Sequence, residues 1–265
     1  MKPMLRPAHS LCRLVLASFV VLACHCDAWA QRFTLLTEIN PPTQIRLPSG
    51  ELGGPAVEVV REIQRRVGNT DPIELVPWAR GYRLVETQAN TALFIMARTA
   101  SRNAQFQWIG PFTEAIYALY VRADSTLVLK DLEDAKRLQS IGVYRDDARD
   151  QMLTQAGFTN LDRTVDNASN VKKLMLGRVD AFAASTTSID GLMTSQGFTR
   201  DSVREALPFA RVQTWLAFSR LTPASTVQAW ADALESMKKD KSFDALMAAG
   251  QPGWKAPGKP ITEFP

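Results

Sequence analysis

Acidic and basic side chains follow two predicted strands where a ligand could be bound. Glu38 comes at the carboxyl end of a predicted strand at 33–37, and Arg98 and Arg102 follow a second one at Thr91–Ala97. Ligands of open α/β sheets gather at the carboxyl ends of strands, and the guanidinium fork matches a carboxylate or phosphate. These residues predict an anion-binding site. The alternative is that Glu38 caps a turn and both arginines lie on the surface, where arginines usually lie.

Aromatic side chains follow the same predicted strands. Trp78 and Arg80 come after a short strand at 72–76, and Trp108 lies in an apolar stretch after Arg102. The tryptophans could line a ligand pocket, and Arg80 could stack on or pair with the ligand. The alternative is that both tryptophans pack in the core and that Arg80 starts a solvated helix.

A strand-to-helix turn at 144–148 is a further candidate. Backbone N–H groups at the start of a helix can bind an anion. The turn contains Asp146 and Asp147, whose charges oppose this, and Asp147 is also a good N-cap for the helix that follows. Both readings of Asp147 stay open.

The first thirty residues resemble an export signal, and they contain residue types that the rest of the chain lacks. A basic start, an apolar run at 14–22 and the Ala28-Trp29-Ala30 site predict cleavage after residue 30, and a lipoprotein signal at Cys24 fits less well. All 3 cysteines and both histidines lie before residue 27. The mature chain therefore lacks the residues for a disulfide, a cysteine nucleophile, a Ser-His-Asp triad or a usual zinc site.

The mild net charge and the lack of certain motifs argue against further classes of protein. Removal of the signal lowers the formal net charge from +4 to +2, and no basic run or nucleic-acid module is present. No phosphate-binding glycine motif occurs. No second hydrophobic span follows the signal. We therefore expect an exported protein without metal, cofactor or nucleic acid.

Strand and helix patterns alternate along the mature chain. Pro55 opens a helix that Gly68 closes, between the strands at 33–37 and 72–76. This βαβ order predicts an α/β fold with a mostly parallel sheet.

A second block begins near Ala118. It contains predicted strands at 117–121, 140–144, 179–184 and 212–218, and helices capped by Asp131, Asp147, Ser169 and Thr222, the last followed by Pro223 at the first helical position. A helix at Ser242–Ala249 precedes a proline-rich tail expected to lie extended on the surface. No flexible linker separates the blocks, so strands must connect any two lobes.

Taken together, these motifs resemble the periplasmic solute-binding proteins of family 3, which serve ATP-driven importers of polar amino acids and related solutes. The resemblance covers nearly the whole mature chain, and its order and spacing are more specific than any single motif. It is carried by residues 37–42, 77–81, 98–102, 106–111, 132–134, 142–148, 177–181 and 233–250.

The resemblance implies a two-lobed α/β fold of type II with two crossover strands as the hinge. Lobe 1 would comprise residues 31–115 and 213–265, and lobe 2 residues 116–212. Arg102 would hold a ligand carboxylate, and Asp147-Ala148 would face it from lobe 2. Ser185 stands where amino-acid binders of this family commonly place an acid for the ligand ammonium, and a hydroxyl cannot neutralise a buried charge.

The sequence therefore predicts a monomeric periplasmic binding protein, not an enzyme. Its ligand would be a small polar solute bearing a carboxylate, an amino acid or a relative, and its partner the permease of an ABC importer. Two alternatives remain. One is a lyase on the same fold with Glu38 or Glu114 as base, and the other is a protein that presents its ligand to a sensory receptor.

Overall fold

The computed structural model describes residues 32–250 and 253–261. The predicted signal at 1–30 lies outside the described residues. Ten strands are present in this part: β1 (Thr34–Thr37), β2 (Ile45–Arg46), β3 (Leu52–Gly53), β4 (Ile73–Leu75), β5 (Thr91–Ala97), β6 (Phe106–Arg122), β7 (Ile141–Tyr144), β8 (Leu161–Thr164), β9 (Ala181–Ser185) and β10 (Val203–Ser219).

Helices alternate with these strands. They are α1 (Pro55–Val67), α2 (Trp78–Thr87), α3 (Ala100–Asn103), α4 (Leu132–Lys136), α5 (Ala148–Gln155), α6 (Asn167–Met175), α7 (Ile189–Ser195), α8 (Ala224–Lys239) and α9 (Ser242–Ala249), with a 3-10 turn at Arg200–Ser202. No helix among the described residues is long and apolar enough to cross a membrane.

Eight strands form one sheet in the order β4-β1-β5-β10-β6-β9-β7-β8, and β2 pairs with β3. The pairs β1/β4, β1/β5, β7/β8 and β7/β9 are parallel. The central strands β10 and β6 are antiparallel to each other and to their outer neighbours β5 and β9. The sheet is thus parallel on both flanks and antiparallel at its centre, because β10 returns against β6.

The two central strands are much longer than the predicted ones. Both β6 and β10 have 17 residues, whereas the sequence patterns predict only 117–121 and 212–218. Proline and register shifts interrupt their alternation, since Pro208 lies within β10 and shifts occur near Glu205, Pro208 and Thr214. These interruptions hide the continuity of a strand from a pattern search.

Buried apolar side chains form separate clusters on the two flanks of the central strands. One joins β1, β5 and α1 to α8 and α9 through residues such as Leu35, Val60, Phe94 and Leu234. Two others lie between residues 118 and 207. Each flank therefore has a core of its own.

Local capping agrees with the sequence at several helices and differs at two. Gly68 adopts the left-handed conformation that ends α1, with φ 70°. The predicted cap Ser169 is wrong, because the N-cap of α6 is Asp166, three residues earlier, whose side chain accepts from the Ala168 N–H. The predicted cap Thr222 is also wrong, since α8 begins after Pro223 and the Thr222 hydroxyl is buried without a partner.

Candidate functional site

A cleft of about 330 Å³ lies over the central strands. One wall is the loop that follows β1, and the floor comes from β5, β6 and β10. The opposite wall comes from the end of β7, the starts of α5 and α6, and α7. The polar side chains that line the cleft are Glu38, Asn40, Thr43, Thr113, Tyr117, Tyr144, Asp147, Arg149, Asp166, Asn167, Ser185, Thr187, Ser188, Ser195, Gln196 and Thr214.

A hydrogen bond crosses the cleft between Glu38 and Tyr144. The Tyr144 hydroxyl donates to Glu38 Oε2 at 2.8 Å. Burial of the carboxyl group raises the pKa of Glu38 to about 8, against the opposing effect of the Tyr144 hydrogen bond. Burial and the nearby Glu38 carboxyl also raise the pKa of Tyr144. A cationic group entering the cleft beside Glu38 would favour its ionised form.

A buried ion pair lies on the opposite wall, at the start of α5. Asp147 Oδ1 accepts from the Arg149 backbone N–H at 2.9 Å and from Arg149 Nε at 2.5 Å. Burial disfavours both charges, but their attraction prevails, so the pKa of Asp147 is lowered and that of Arg149 is raised. The Arg149 guanidinium also lies 5.4 Å from the centre of the Tyr117 ring. Among the described residues that line the cleft, Arg149 carries the one basic side chain.

Hydroxyl groups occupy the end of β9. Ser185 Oγ lies 2.7 Å from Ser188 Oγ and 3.1 Å from Thr187 Oγ1, and it accepts from the Ser188 N–H at 3.1 Å. On the floor, the Thr113 and Thr214 hydroxyls are 2.7 Å apart. These groups can donate to or accept from a polar solute but supply no charge.

Of the sequence-predicted site residues, four line the cleft together: Glu38, Trp78, Asp147 and Ser185. Asp147 also caps α5, as the alternative reading predicted. Ala148 is fully buried behind this cap and does not line the cleft.

Arg102 lies outside the residues that line the cleft and is fully buried. Its Nε donates to Gln151 Oε1 at 2.9 Å, and its Nη2 donates to the Asp146 carbonyl at 3.1 Å. The Trp78 Nε1–H donates to the same carbonyl at 2.9 Å. The guanidinium also lies 5.3 Å from the Trp78 ring centre. In this conformation the donors of Arg102 link α3 to the start of α5.

The other predicted residues lie further from the cleft. Arg98 donates to Asn103 Oδ1 at 2.8 Å and lies 4.8 Å from the Trp215 ring centre. The Trp108 Nε1–H donates to the Asn103 carbonyl at 3.0 Å. Arg80 is exposed on α2. Arg98, Trp108 and Arg80 thus do not meet the cleft in this conformation.

Sequence reasoning did not single out Tyr144 or Arg149 as site residues. Arg149 carries a signal in hindsight: a cation in the first turn of a helix opposes the helix dipole. Its position is stabilised by Asp147 two residues earlier. Tyr144 carries no such signal, because a tyrosine at the end of a strand is as typical of a packing role as of a binding role.

The sequence and the fold of this chain are similar to those of known solute-binding proteins. Residues 34–249 match the sequence profile of the bacterial extracellular solute-binding proteins, family 3, and the chain belongs to this family. No curated protein sequence was found to match it.

Solved structures share the fold at low identity. The chain is similar to a histidine kinase sensor domain with similarity to periplasmic binding proteins, with a TM-score of 0.74, 19% identity, and coverage of 85% of this chain and 99% of that one. It is similar to a mutant of ArgBP from T. maritima, with a TM-score of 0.72, 18% identity, and coverage of 83% and 96%. It is also similar to the arginine-, lysine-, histidine-binding protein ArtJ from Geobacillus stearothermophilus, with a TM-score of 0.71, 13% identity, and coverage of 85% of this chain and 96% of that one.

These likenesses confirm the predicted two-lobed α/β fold of the periplasmic binding proteins. The long strands β6 and β10 are the two crossover strands. Membership of this family gives the chain a solute-binding role rather than an enzymatic one. Consistent with this, Glu114, one of the two bases considered for a lyase, pairs with Arg211 and does not line the cleft.

Proposed function

We propose that this protein is exported to the periplasm and captures a small polar solute that bears a carboxylate, an amino acid or a relative of one, for an ABC-type importer. The observation that carries the proposal is the pair of ionisable groups on opposite walls of the cleft. Arg149 offers a guanidinium to the solute carboxylate, and Glu38 offers a carboxyl group to a solute ammonium.

The proposed lobes are residues 31–115 with 213–265, and residues 116–212. The separate buried clusters on either side of the crossover strands support this division. The loop after β1 and Trp78 then belong to lobe 1, whereas Tyr144, Arg149 and Ser185 belong to lobe 2. Closure of the lobes brings Glu38 and Tyr144 together across the solute, as in other hinged binding proteins.

Glu38 can also supply the acid that is missing at Ser185, where amino-acid binders of the family commonly have one. The hydroxyls of Ser185, Thr187 and Ser188 satisfy one another, and no acid stands there for an ammonium. Glu38 approaches from the opposite lobe and already accepts a hydrogen bond. A solute ammonium beside it would replace the cost of a buried lone carboxylate by an ion pair.

A thermal-shift screen of the mature chain tests the proposal. The protein is unfolded and refolded to remove carried-over solute, and amino acids, dicarboxylates, polyamines, sugars and aromatic acids are added. A solute at about 100 times its Kd stabilises the fold by about 2.7 kcal/mol. We expect a stabilising amino acid or related carboxylate, and we expect Arg149→Lys to abolish its effect because Lys lacks the planar fork.

The matched control is Arg80→Lys, on the exposed surface of α2, which should leave the shift unchanged. Arg102→Lys distinguishes between the two arginines as carboxylate ligands. If the solute no longer stabilises Arg102→Lys but still stabilises Arg149→Lys, the carboxylate is assigned to Arg102. Stabilisation by polyamines or sugars alone would contradict the carboxylate assignment. Conversion of the bound solute would contradict a pure binding role.

One observation favours a second candidate, a protein that presents its solute to a receptor. The chain is as similar in fold to a histidine kinase sensor domain as to arginine-binding proteins. Copurification of the solute-loaded chain with membranes that contain or lack the importer separates the two roles.

A further inference from the structure

The segment that follows α9 returns to the crossover strands. We call its described residues, 253–261, the C-terminal strap. Near its start, the Trp254 ring packs edge-on against Phe243, with ring centres 5.8 Å apart. The strap has no helix or strand of its own and is mostly exposed. Contacts with other elements must therefore hold the strap in place against the sheet.

The main anchor of the strap is Gln213 on β10. This side chain is 1% exposed. Its amide nitrogen lies 3.0 Å from the Lys259 carbonyl and 3.3 Å from the Gly258 carbonyl, and its Oε1 accepts from the Ile261 N–H at 2.9 Å. A buried amide needs such partners, because unsatisfied buried polar groups are costly. The strap therefore satisfies both ends of the Gln213 amide.

A second anchor is Glu114, which lies opposite Gln213 in the β6/β10 register. Glu114 Oε2 accepts from Gln213 Nε2 at 3.1 Å and from the Gly258 N–H at 3.4 Å. The next register pair is Thr113 and Thr214, whose side chains line the floor of the cleft. The strap is thus attached one residue away from the cleft, at the strands that form the hinge.

The far end of the strap lies at a seam between the two proposed lobes. Ile261 shares a small cavity of about 70 Å³ with Thr99 and Ser101 of lobe 1 and with Met152 and Gln155 of α5 in lobe 2. Opening of the cleft changes the separation of these segments. Because the Ile261 N–H is tied to β10 through Gln213, contact of Ile261 with this seam resists that change.

We propose that the C-terminal strap is a brace on the hinge that restrains opening of the two lobes and so slows release of the solute. Detachment of the strap shifts the chain towards open conformations without loss of its core. The proposal rests on the lobe movement that the proposed function requires. Its test uses no solute, so that its failure is distinguishable from failure of the solute assignment.

The test measures the separation of the lobes when the strap is detached. The chain from residue 31 onward has no cysteine, so Glu86→Cys on α2 and Lys172→Cys on α6, both exposed, accept spin labels for pulsed distance measurements. Gln213→Leu keeps a similar volume and removes the bonds to the strap. We expect a roughly fivefold rise in the open fraction, as for the loss of about one net hydrogen bond.

Two further variants make the result decisive. Ile261→Pro removes the N–H that Gln213 accepts and leaves the core untouched, so it should act in the same direction. The control Gln107→Leu removes a side chain that donates to the Ser219 and Thr222 carbonyls at 3.1 and 2.8 Å, at the other end of the crossover strands. This control should leave the distance distribution unchanged.

Hydrogen exchange at the strap amides shows whether the strap has been released. The proposal is supported by a wider lobe separation in both variants, together with faster exchange of the Gly258 amide in both and of the Ile261 amide in Gln213→Leu, since Ile261→Pro has no amide hydrogen at that position. Faster exchange with an unchanged separation overturns it. The same opening in Gln107→Leu, or continued protection of Ile261 in Gln213→Leu, also overturns it.

Discussion

At the scale of single residues, the cleft combines a carboxyl group that burial keeps protonated with an ion pair that stays charged. Glu38 is partly exposed, but desolvation of its carboxyl group in the cleft raises its pKa to about 8. Asp147 is more deeply buried, yet its pKa is lowered because Arg149 lies 2.5 Å away. The two acids therefore respond differently to pH, and only Glu38 changes charge near neutrality.

Replacement of Glu38 by Gln should change the pH dependence of stability. Because the pKa is raised in the folded state, the unfolded chain loses the proton first, and wild-type stability should fall from about pH 4.5 to about pH 8. Glu38→Gln stays neutral and avoids this loss. We expect its Tm to exceed that of the wild type by at least a few °C more at pH 9 than at pH 5, because about 1 kcal/mol corresponds to roughly 2–4 °C. Calorimetry at both pH values measures the difference.

Glu86→Gln is the matched control, since Glu86 is exposed. It should follow the wild-type pH profile. A profile for Glu38→Gln parallel to that of the wild type would show that Glu38 ionises at its ordinary pKa.

At the scale of the elements, the loop after β1 is held against the start of α1. Gly54, at the N-cap of α1, has φ 108°, and a Cβ there would lie 2.6 Å from the Thr43 carbonyl oxygen. The Ala56 N–H donates to that same oxygen at 3.1 Å. The loop whose residues 38–43 line the cleft thus depends on close backbone contact at a position that only glycine fills without strain.

Gly54→Ala should destabilise the fold by more than Gly50→Ala. Gly50 has φ 88° with no atom within 4 Å of an added Cβ, so its variant isolates the backbone strain. We expect a cost of about 1 kcal/mol for Gly50→Ala and roughly 2–4 kcal/mol for Gly54→Ala, where a clash adds to the strain. Urea unfolding of both variants measures the costs. Equal costs would mean that the Thr43 contact relaxes without penalty.

At the scale of the whole molecule, partly buried polar contacts fasten the two proposed lobes beside the cleft. The Asp146 carbonyl accepts from both Arg102 Nη2 and Trp78 Nε1. Arg102 Nε donates to Gln151 at 2.9 Å. These donors come from α2 and α3, and their acceptors lie at α5, so opening must break them.

Arg102→Lys should therefore open the solute-free protein. Lysine cannot reproduce a fork that donates to Gln151 and Asp146 together. Small-angle scattering without solute should show a larger radius of gyration for Arg102→Lys. The control Arg98→Lys, whose contact with Asn103 stays within lobe 1, should keep the wild-type radius.

The same variant tests the role that the family resemblance assigns to Arg102. If Arg102 serves only to hold a solute carboxylate, the substitution abolishes solute binding but leaves the solute-free radius unchanged. That result would contradict the fastening role.

The sequence alone was sufficient to predict the class of protein. Strand β5 was predicted with its observed bounds, α1 with its left-handed Gly68, and α5 with its cap Asp147. These features depend on neighbours a few residues apart, which a local pattern records. The spacing of motifs along the chain then identified the family, and Glu38, Trp78, Asp147 and Ser185 were placed in one cleft.

Only the tertiary structure decided which charges meet the cleft. Arg149 and Tyr144 line it, whereas Arg102 turns its donors to Gln151 and Asp146. Arg149 is oriented by its neighbour Asp147, but the partners of Tyr144 and Arg102 are 44 to 106 positions away along the chain. The full length of β6 and β10 likewise emerges from pairing across the sheet. Such contacts leave no periodic trace in the chain, because they are set by how the two flanks of the sheet close on each other.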